Sequence, residues 1–382
     1  MSADAENRNI ARYLPRIAAE QPDALAVAVQ QAAGRDGKHA YKTYTAEQLE
    51  AESNRVARGL RRVGIGDGVR AVLMVTPSLE FFALTFALFK AGAIPVMVDP
   101  GMGVKNLKAC LAESAPEAFI GISKAHAARV LLGWARETNR VNVTVGPRLF
   151  WGGHTLRGVR DSDATPAIAE RAEGDIAAIL FTSGSTGVPR GAVYTHGNFN
   201  AQVRCLRDDY GIQPGERDLA TFPLFALFGP ALGMASVVPD MDASKPITAN
   251  PRNLIAAALD YETTNLFASP ALLDKLGRYA ESHPVRLPAV RRVISAGAPA
   301  EPESLARFAR VLAPGVPIVP SYGATEALPV AQIAHRELID DTAVLTAQGY
   351  GVCIGRPVDS VSVRVIRISD GRIAEWTPEL EL

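Results

Sequence analysis

Short strand-type runs with little charge recur along this chain, and helical patterns separate most of them. The runs are Val69 to Val75, Ile94 to Val98, Ala118 to Ile122, Ile176 to Phe181, Leu219 to Phe222, Asn265 to Ala268, Arg292 to Ser295 and Pro317 to Pro320. Strand, helix, strand in repeated order predicts a doubly wound α/β architecture, in which apolar strands are buried under helices on both faces. Two of the intervening helices are legible in detail. Ala46 to Val63 has Thr45 as N-cap, Glu and Gln in its first turn, apolar Leu49, Val56, Ala57, Leu60 and Val63, and a glycine stop. Leu79 to Ala91 lies between two of the strand runs. The glycines at 64, 66 and 68 follow a helix and have the wrong spacing for a dinucleotide fingerprint, so they read as a helix-exit turn.

The chain has 382 residues, 48% of them hydrophobic and 21% charged, and a formal net charge of +0, which leaves no electrostatic footprint for nucleic acid or an anionic membrane. Its three cysteines, Cys110, Cys205 and Cys353, are too few and too widely spaced for a disulfide framework or a CxxC metal site. A reducing cytoplasm is the expected location, and the N-terminus has no signal-peptide pattern. Phe222 to Pro239 is almost uncharged over the length of a membrane helix, yet Pro223, Pro230, Pro239, Gly229 and Gly233 make it buried loop and helix and not a span. Val143 to Pro166, rich in Gly, Asp and Thr, reads as a long surface connector and a candidate sub-boundary.

Residues 181 to 191 read FTSGSTGVPRG and carry the chemistry. Thr182, Ser183, Ser185 and Thr186 supply hydroxyls, and Gly184, Gly187 and Gly191 give the backbone access to positive φ, which turns successive N–H groups inward. Arg190 adds a permanent charge. The string is not the GxxxxGK[ST] loop, and a flexible connector is the alternative reading, but the glycines arrive where a buried strand ends. Ser295-Ala296-Gly297-Ala298-Pro299 also follows a strand. Alone it is a simple turn, although Gly297, Ala298 and Pro299 are small enough for a flat base to approach the backbone.

The string at 182 to 191, followed by Thr195-His196, resembles the adenylate-forming superfamily of acyl-CoA synthetases, adenylation domains and luciferases. The resemblance runs from about Thr43 to the chain's end and includes Lys90 to Pro100, Ser295 to Pro299, Ser321-Tyr322-Gly323-Ala324-Thr325-Glu326 and Gly351 to Pro357, in family order. It implies the large N-terminal AMP-binding domain of that fold over 1–360, with 361–382 as the start of a β-subdomain. The alternating Val361 to Ile368 and the Asp370-Gly371 turn then read as a hairpin, and the ending TPELEL reads as truncated. Relatives continue into a small C-terminal lid, which implies weak or absent turnover without it.

The resemblance assigns the loop residues, with Gly297, Ala298, Pro299, Tyr322 and Gly323, to ATP. It gives Thr325 to the α-phosphate, Glu326 to Mg²⁺ and Arg190 to phosphate charge. Where many relatives carry histidine, in PLFHxxG, this chain has Ala226 between Phe225 and Phe228. With His196 these residues are candidates for an acyl pocket, core packing being the alternative, and an apolar pocket would favour long-chain acyl substrates. Cys353 reads as packing. Arg190 in place of the commoner lysine, the 222–242 stretch and YGATEALPV are similar to the β-lactone synthetases of bacterial long-chain olefin biosynthesis. That likeness implies adenylation of a long-chain 2-alkyl-3-hydroxy acid, closure by its own 3-hydroxyl, and a setting that admits a complex with other enzymes of the olefin pathway. Fatty acyl-CoA or acyl-AMP ligation, and a non-catalytic nucleotide-binding module, are the alternatives.

Overall fold

The computed structural model of the chain describes residues 7–181, 190–368 and 371–382. Its sixteen described strands fall into two sheets. In chain order they are β1 (Leu25–Ala33), β2 (His39–Thr45), β3 (Arg70–Met74), β4 (Ile94–Val98), β5 (Ala118–Ile122), β6 (Val141–Val145), β7 (His154–Thr155), β8 (Ile176–Phe181), β9 (Gly191–Thr195), β10 (Arg217–Ala220), β11 (Ala235–Val238), β12 (Asn265–Ala268), β13 (Arg292–Ser295), β14 (Ile318–Ala324), β15 (Ala327–Gln332) and β16 (Arg356–Pro357). The first sheet runs β16-β15-β14-β13-β12-β10-β11-β1-β2, and the second β7-β6-β5-β3-β4-β8-β9. Pairing is parallel through the middle of both sheets and antiparallel at β1/β2, β14/β15, β15/β16 and β8/β9. The expected doubly wound α/β order is therefore present, in two sheets.

The largest core joins the two sheets. Val27, Val29, Ala220 and Ile294 of the first and Ala71, Leu73, Met97 and Ala177 of the second share it with the helix Leu79–Ala91. That helix is apolar nearly all round, as a helix enclosed on every side must be, and every residue from Phe81 to Ala91 is buried. Ser78 caps its start, and Gly92 ends it at φ 80°. A second core covers the outer face of the first sheet with helices Pro251–Asp260, Pro270–Ser282 and Pro302–Ala309, and a third covers the second sheet with Val104–Ser114.

One charge is buried in this apolar centre. Lys90 has no exposed surface, and its Nζ donates to Glu50 Oε2 at 2.5 Å, Asn54 Oδ1 at 2.7 Å and Ser53 Oγ at 2.8 Å. All three acceptors lie on Ala46–Arg62, whose N-terminus closes with a reciprocal capping box between Thr45 and Gln48. Asn54 in turn donates to Glu50 Oε1 and to the Ala164 carbonyl. The N-terminal segment is laced in a similar way. Asn9 Nδ2 donates to the Phe89 and Ala169 carbonyls, Ile10 N–H to His196 Nδ1, and Asn200 Nδ2 to the Arg8 carbonyl.

Two expectations are corrected. Residues 143–166 are not a free connector, because they complete β6, form the edge strand β7 and bury Trp151 and Val159. Val361 to Ile368 forms a single bridge, Ile366 to Glu381, and no strand, since these largely exposed residues have no sheet partner among the described residues. Stability should be most sensitive at the Lys90 cluster. Glu50→Ala strands an ammonium in the core and is expected to cost about 3–5 kcal/mol by urea unfolding, whereas Glu50→Leu with Lys90→Met should recover most of it.

Candidate active site

Of the segments that the sequence marks as a site, the described residues 297–299 and 321–326 follow or extend the parallel strands β13 and β14 at their C-terminal ends, where α/β sheets bind ligands. β8 ends at Phe181, and the chain returns through exposed Arg190 into β9, antiparallel to β8. The phosphate-loop candidates Thr182, Ser183, Gly184, Ser185, Thr186 and Gly187 lie outside the described residues. Gly191 is described, and its role differs from the expected one. It sits in extended strand without positive φ, opposite Phe181, where a Cβ would stand 2.7 Å from Phe181 Cζ and 3.0 Å from Ile179 Cγ2. Close approach and not turn conformation excludes a side chain there.

Beyond β13, Gly297, Ala298 and Pro299 are exposed, and Gly297 has φ 98° with open space around its missing Cβ. On β14, the neighbour of β13, Tyr322 is 51% exposed. Its successor Gly323 packs so closely on Leu328 and Ala327 that a Cβ would meet Leu328 Cβ at 2.8 Å. Ala324 pairs with Ala327, so Thr325 and Glu326 are the two residues at the tip of a hairpin, Glu326 exposed and Thr325 half-buried. The two sheets meet at this tip, where Tyr194 Oη of β9 donates to the Thr325 carbonyl at 2.6 Å.

The apolar segment packs against the same end of the first sheet. Phe225 is buried and stacks on Phe267 of β12 with centroids 4.6 Å apart, Phe222 lies on the same ring at 5.7 Å, and Phe228 contacts Phe225 and Phe199. Ala226 is fully buried, and its carbonyl accepts from Ser236 Oγ. His196 is not brought to these rings. It is buried against Phe89 with Phe199 beyond, and its Nδ1 accepts from Ile10 N–H.

Among the described residues no group of three or more His, Cys, Asp or Glu side chains could hold a metal ion. The exposed Glu326 carboxylate suits Mg²⁺, which is often held by one or two carboxylates with water and substrate phosphates completing its shell. No described helix is long and apolar enough to cross a membrane. The model of one family, AMP-binding enzyme, matches residues 14–377. The chain belongs to the AMP-binding enzyme family. Among family members it is 50% identical over 97% of its length to the olefin beta-lactone synthetase of Xanthomonas campestris pv. campestris, and 48% identical over 97% to that of Stenotrophomonas maltophilia. It spans 66% of the length of each of these two proteins. Its fold is that of a putative long-chain-fatty-acid CoA ligase from Rhodopseudomonas palustris, with a TM-score of 0.76 at 20% identity over 96% of this chain and 84% of that one.

Two buried groups of this AMP-binding chain were not singled out from sequence. Tyr194 looks like any strand aromatic until its hydroxyl is placed. Asp218, fully buried in β10, accepts from Asn265 Nδ2 at 2.5 Å, and burial pushes its carboxyl up to about 7. Asp218 follows Glu216 and Arg217 in a charged stretch just before the apolar run, so the sequence offers no signal that it is buried.

His196 carries a checkable pH effect. Burial, with Arg171 adding to it, holds its imidazole down to about 4, below the ordinary value of 6.5. As pH falls from 6.5 towards 4 the unfolded chain gains a proton that the folded chain refuses, so stability is lost across that window, by about 3 kcal/mol at most. His196→Asn keeps an acceptor for Ile10. The stability gap between it and the unsubstituted protein, measured by urea unfolding, should narrow from pH 7 to pH 4.5, and a constant gap would contradict this linkage.

Proposed function

We propose that this chain carries the nucleotide-binding part of an ATP-dependent β-lactone synthetase acting on long-chain 2-alkyl-3-hydroxy acids. The observation that carries the reading is about half identity, over nearly the whole chain, to two proteins named olefin beta-lactone synthetase. The geometry agrees with it. A carboxylate is a poor electrophile because its leaving group would be oxide. Its oxygen therefore attacks the α-phosphorus of ATP, the bond to the β-phosphate oxygen breaks, and pyrophosphate leaves. The substrate's 3-hydroxyl oxygen then attacks the activated carbonyl, gives up its proton, and displaces AMP as the four-membered ring closes.

Neither step needs a side-chain nucleophile, so the protein's work is alignment and charge stabilisation. In this reading the 182–191 loop and Arg190 face the phosphates, Thr325 reaches the α-phosphate, and Tyr322 with Gly297 to Pro299 bounds the base. Glu326 would hold Mg²⁺, which supplies further charge neutralisation. Phe225 and Phe228, with buried Ala226 in place of a polar side chain, favour an apolar acyl chain. The free cysteines Cys110, Cys205 and Cys353 suit a reducing cytoplasm. A lipid-like substrate also suits direct transfer from and to other enzymes of the olefin pathway.

Incubation of the full-length protein, lid included, with ATP, Mg²⁺ and a 2-alkyl-3-hydroxy acid should yield β-lactone, AMP and pyrophosphate without CoA. A product that requires CoA or a carrier thiol would replace this reading with acyl ligation. Arg190→Ala and Glu326→Gln should each slow ATP–pyrophosphate exchange about 10- to 100-fold, in line with roughly 1.5–3 kcal/mol for a hydrogen bond to a charged group.

A further inference from the structure

The hairpin that presents Thr325 and Glu326 does not hold its tip unaided. Two-residue turns that match strand twist place positive φ at one or both tip residues. Here the tip residues are Thr and Glu, and positive φ outside glycine is confined, among the described residues, to Ala115, Ala135 and Glu262. The strands are also out of simple register behind the tip, since Tyr322 pairs with Ala331 while Ala324 pairs with Ala327. Two side chains from the other sheet's territory brace the turn. Tyr194, on the strand that leaves the glycine loop, donates to the Thr325 carbonyl at 2.6 Å. Gln202, on the helix His196–Asp208 that follows, donates to the Leu328 carbonyl at 2.9 Å and reaches Tyr194 Oη at 3.5 Å. Both are buried, and the Tyr194 ring packs on Phe199.

We propose that Tyr194 is a positioning residue for adenylation, aided by Gln202. It locks the Thr325–Glu326 tip to the exit strand of the glycine loop, so that groups from the two sheets meet one triphosphate in fixed register. Three residues separate Arg190 from Tyr194 along β9 and its entry, so the strand that carries Arg190 into the sheet also carries the hydroxyl that holds the tip. Desolvation raises the Tyr194 phenol above its ordinary pKa, which keeps the proton available for donation.

The proposal rests on the adenylation reading above, and its test separates the two. The chemistry is read by ATP–pyrophosphate exchange and the fold by thermal melting. Tyr194→Phe should lower the exchange rate at saturating ATP about 5- to 30-fold, leave KM for ATP within about 2-fold, and leave the melting temperature nearly unchanged. Gln202→Met should give a smaller loss of the same kind. Tyr210→Phe is the control, because Tyr210 Oη bonds Ser321 Oγ at 2.8 Å in the middle of the same strand and not at its tip. It should retain the full rate. Equal losses in Tyr194→Phe and Tyr210→Phe, a change confined to KM, or an unchanged rate in Tyr194→Phe would each overturn the positioning role while leaving adenylation standing. Absence of exchange in the unsubstituted full-length protein, lid included, would overturn both.

Discussion

A parallel strand has no face it can leave to water, and this requirement organises the molecule. With helices obliged to cover both faces of each sheet, the crossovers bring the chain back repeatedly to the same end, where β13 and β14 lead into residues 297–299 and the Thr325–Glu326 tip. The centre between the sheets is correspondingly demanding. The helix Leu79–Ala91 touches apolar residues from both sheets, and the one charge it places there, Lys90, is tolerated because four oxygens of a single neighbouring helix surround its ammonium. The cluster sets the height of one central helix against the other by matching donors to acceptors, which greasy contact alone would leave free to slide.

How far the sequence could be read depended on whether a residue's meaning was local. Ile94–Val98, Ala118–Ile122, Ile176–Phe181, Asn265–Ala268 and Arg292–Ser295 form strands at the expected limits, because each is a short apolar run bounded by polar or turn residues. Thr45 caps its helix because capping needs only residues three apart. The β1/β2 hairpin went unread, since Leu25–Ala33 is alanine- and glutamine-rich and owes its strand state to β11 on one side and β2 on the other. The 143–166 stretch was misread for a related reason. Its glycines and aspartates suggest loop, while Trp151 and Val159 are placed by partners on other elements.

Small and aromatic residues drew notice to the candidate site, and what went unread is what each residue's partner decides. Gly191 was singled out for its backbone freedom, whereas Phe181 across the ladder, and not its own backbone angles, forbids a side chain. His196 follows Thr195 in a recognisable pair, yet its ring serves Ile10, more than 180 residues earlier. Tyr194 carried no signal at all. A phenol's worth depends on which carbonyl it meets, and the Thr325 carbonyl lies on the other sheet.

The lacing of the N-terminal segment bears on how such a chain is made. Asn9, Ile10 and the Arg8 carbonyl find their partners at Ala169, His196 and Asn200, separations of 160, 186 and 192 residues. Residues 8 to 10 must therefore wait for their partners until residues 169 to 200 have been made. Until then Leu14, fully buried in the finished core, has no complete shelter. During synthesis the apolar Ile10, Ala11 and Leu14 of this segment wait for partners made much later in the chain, a long-range closure of the kind that slows folding.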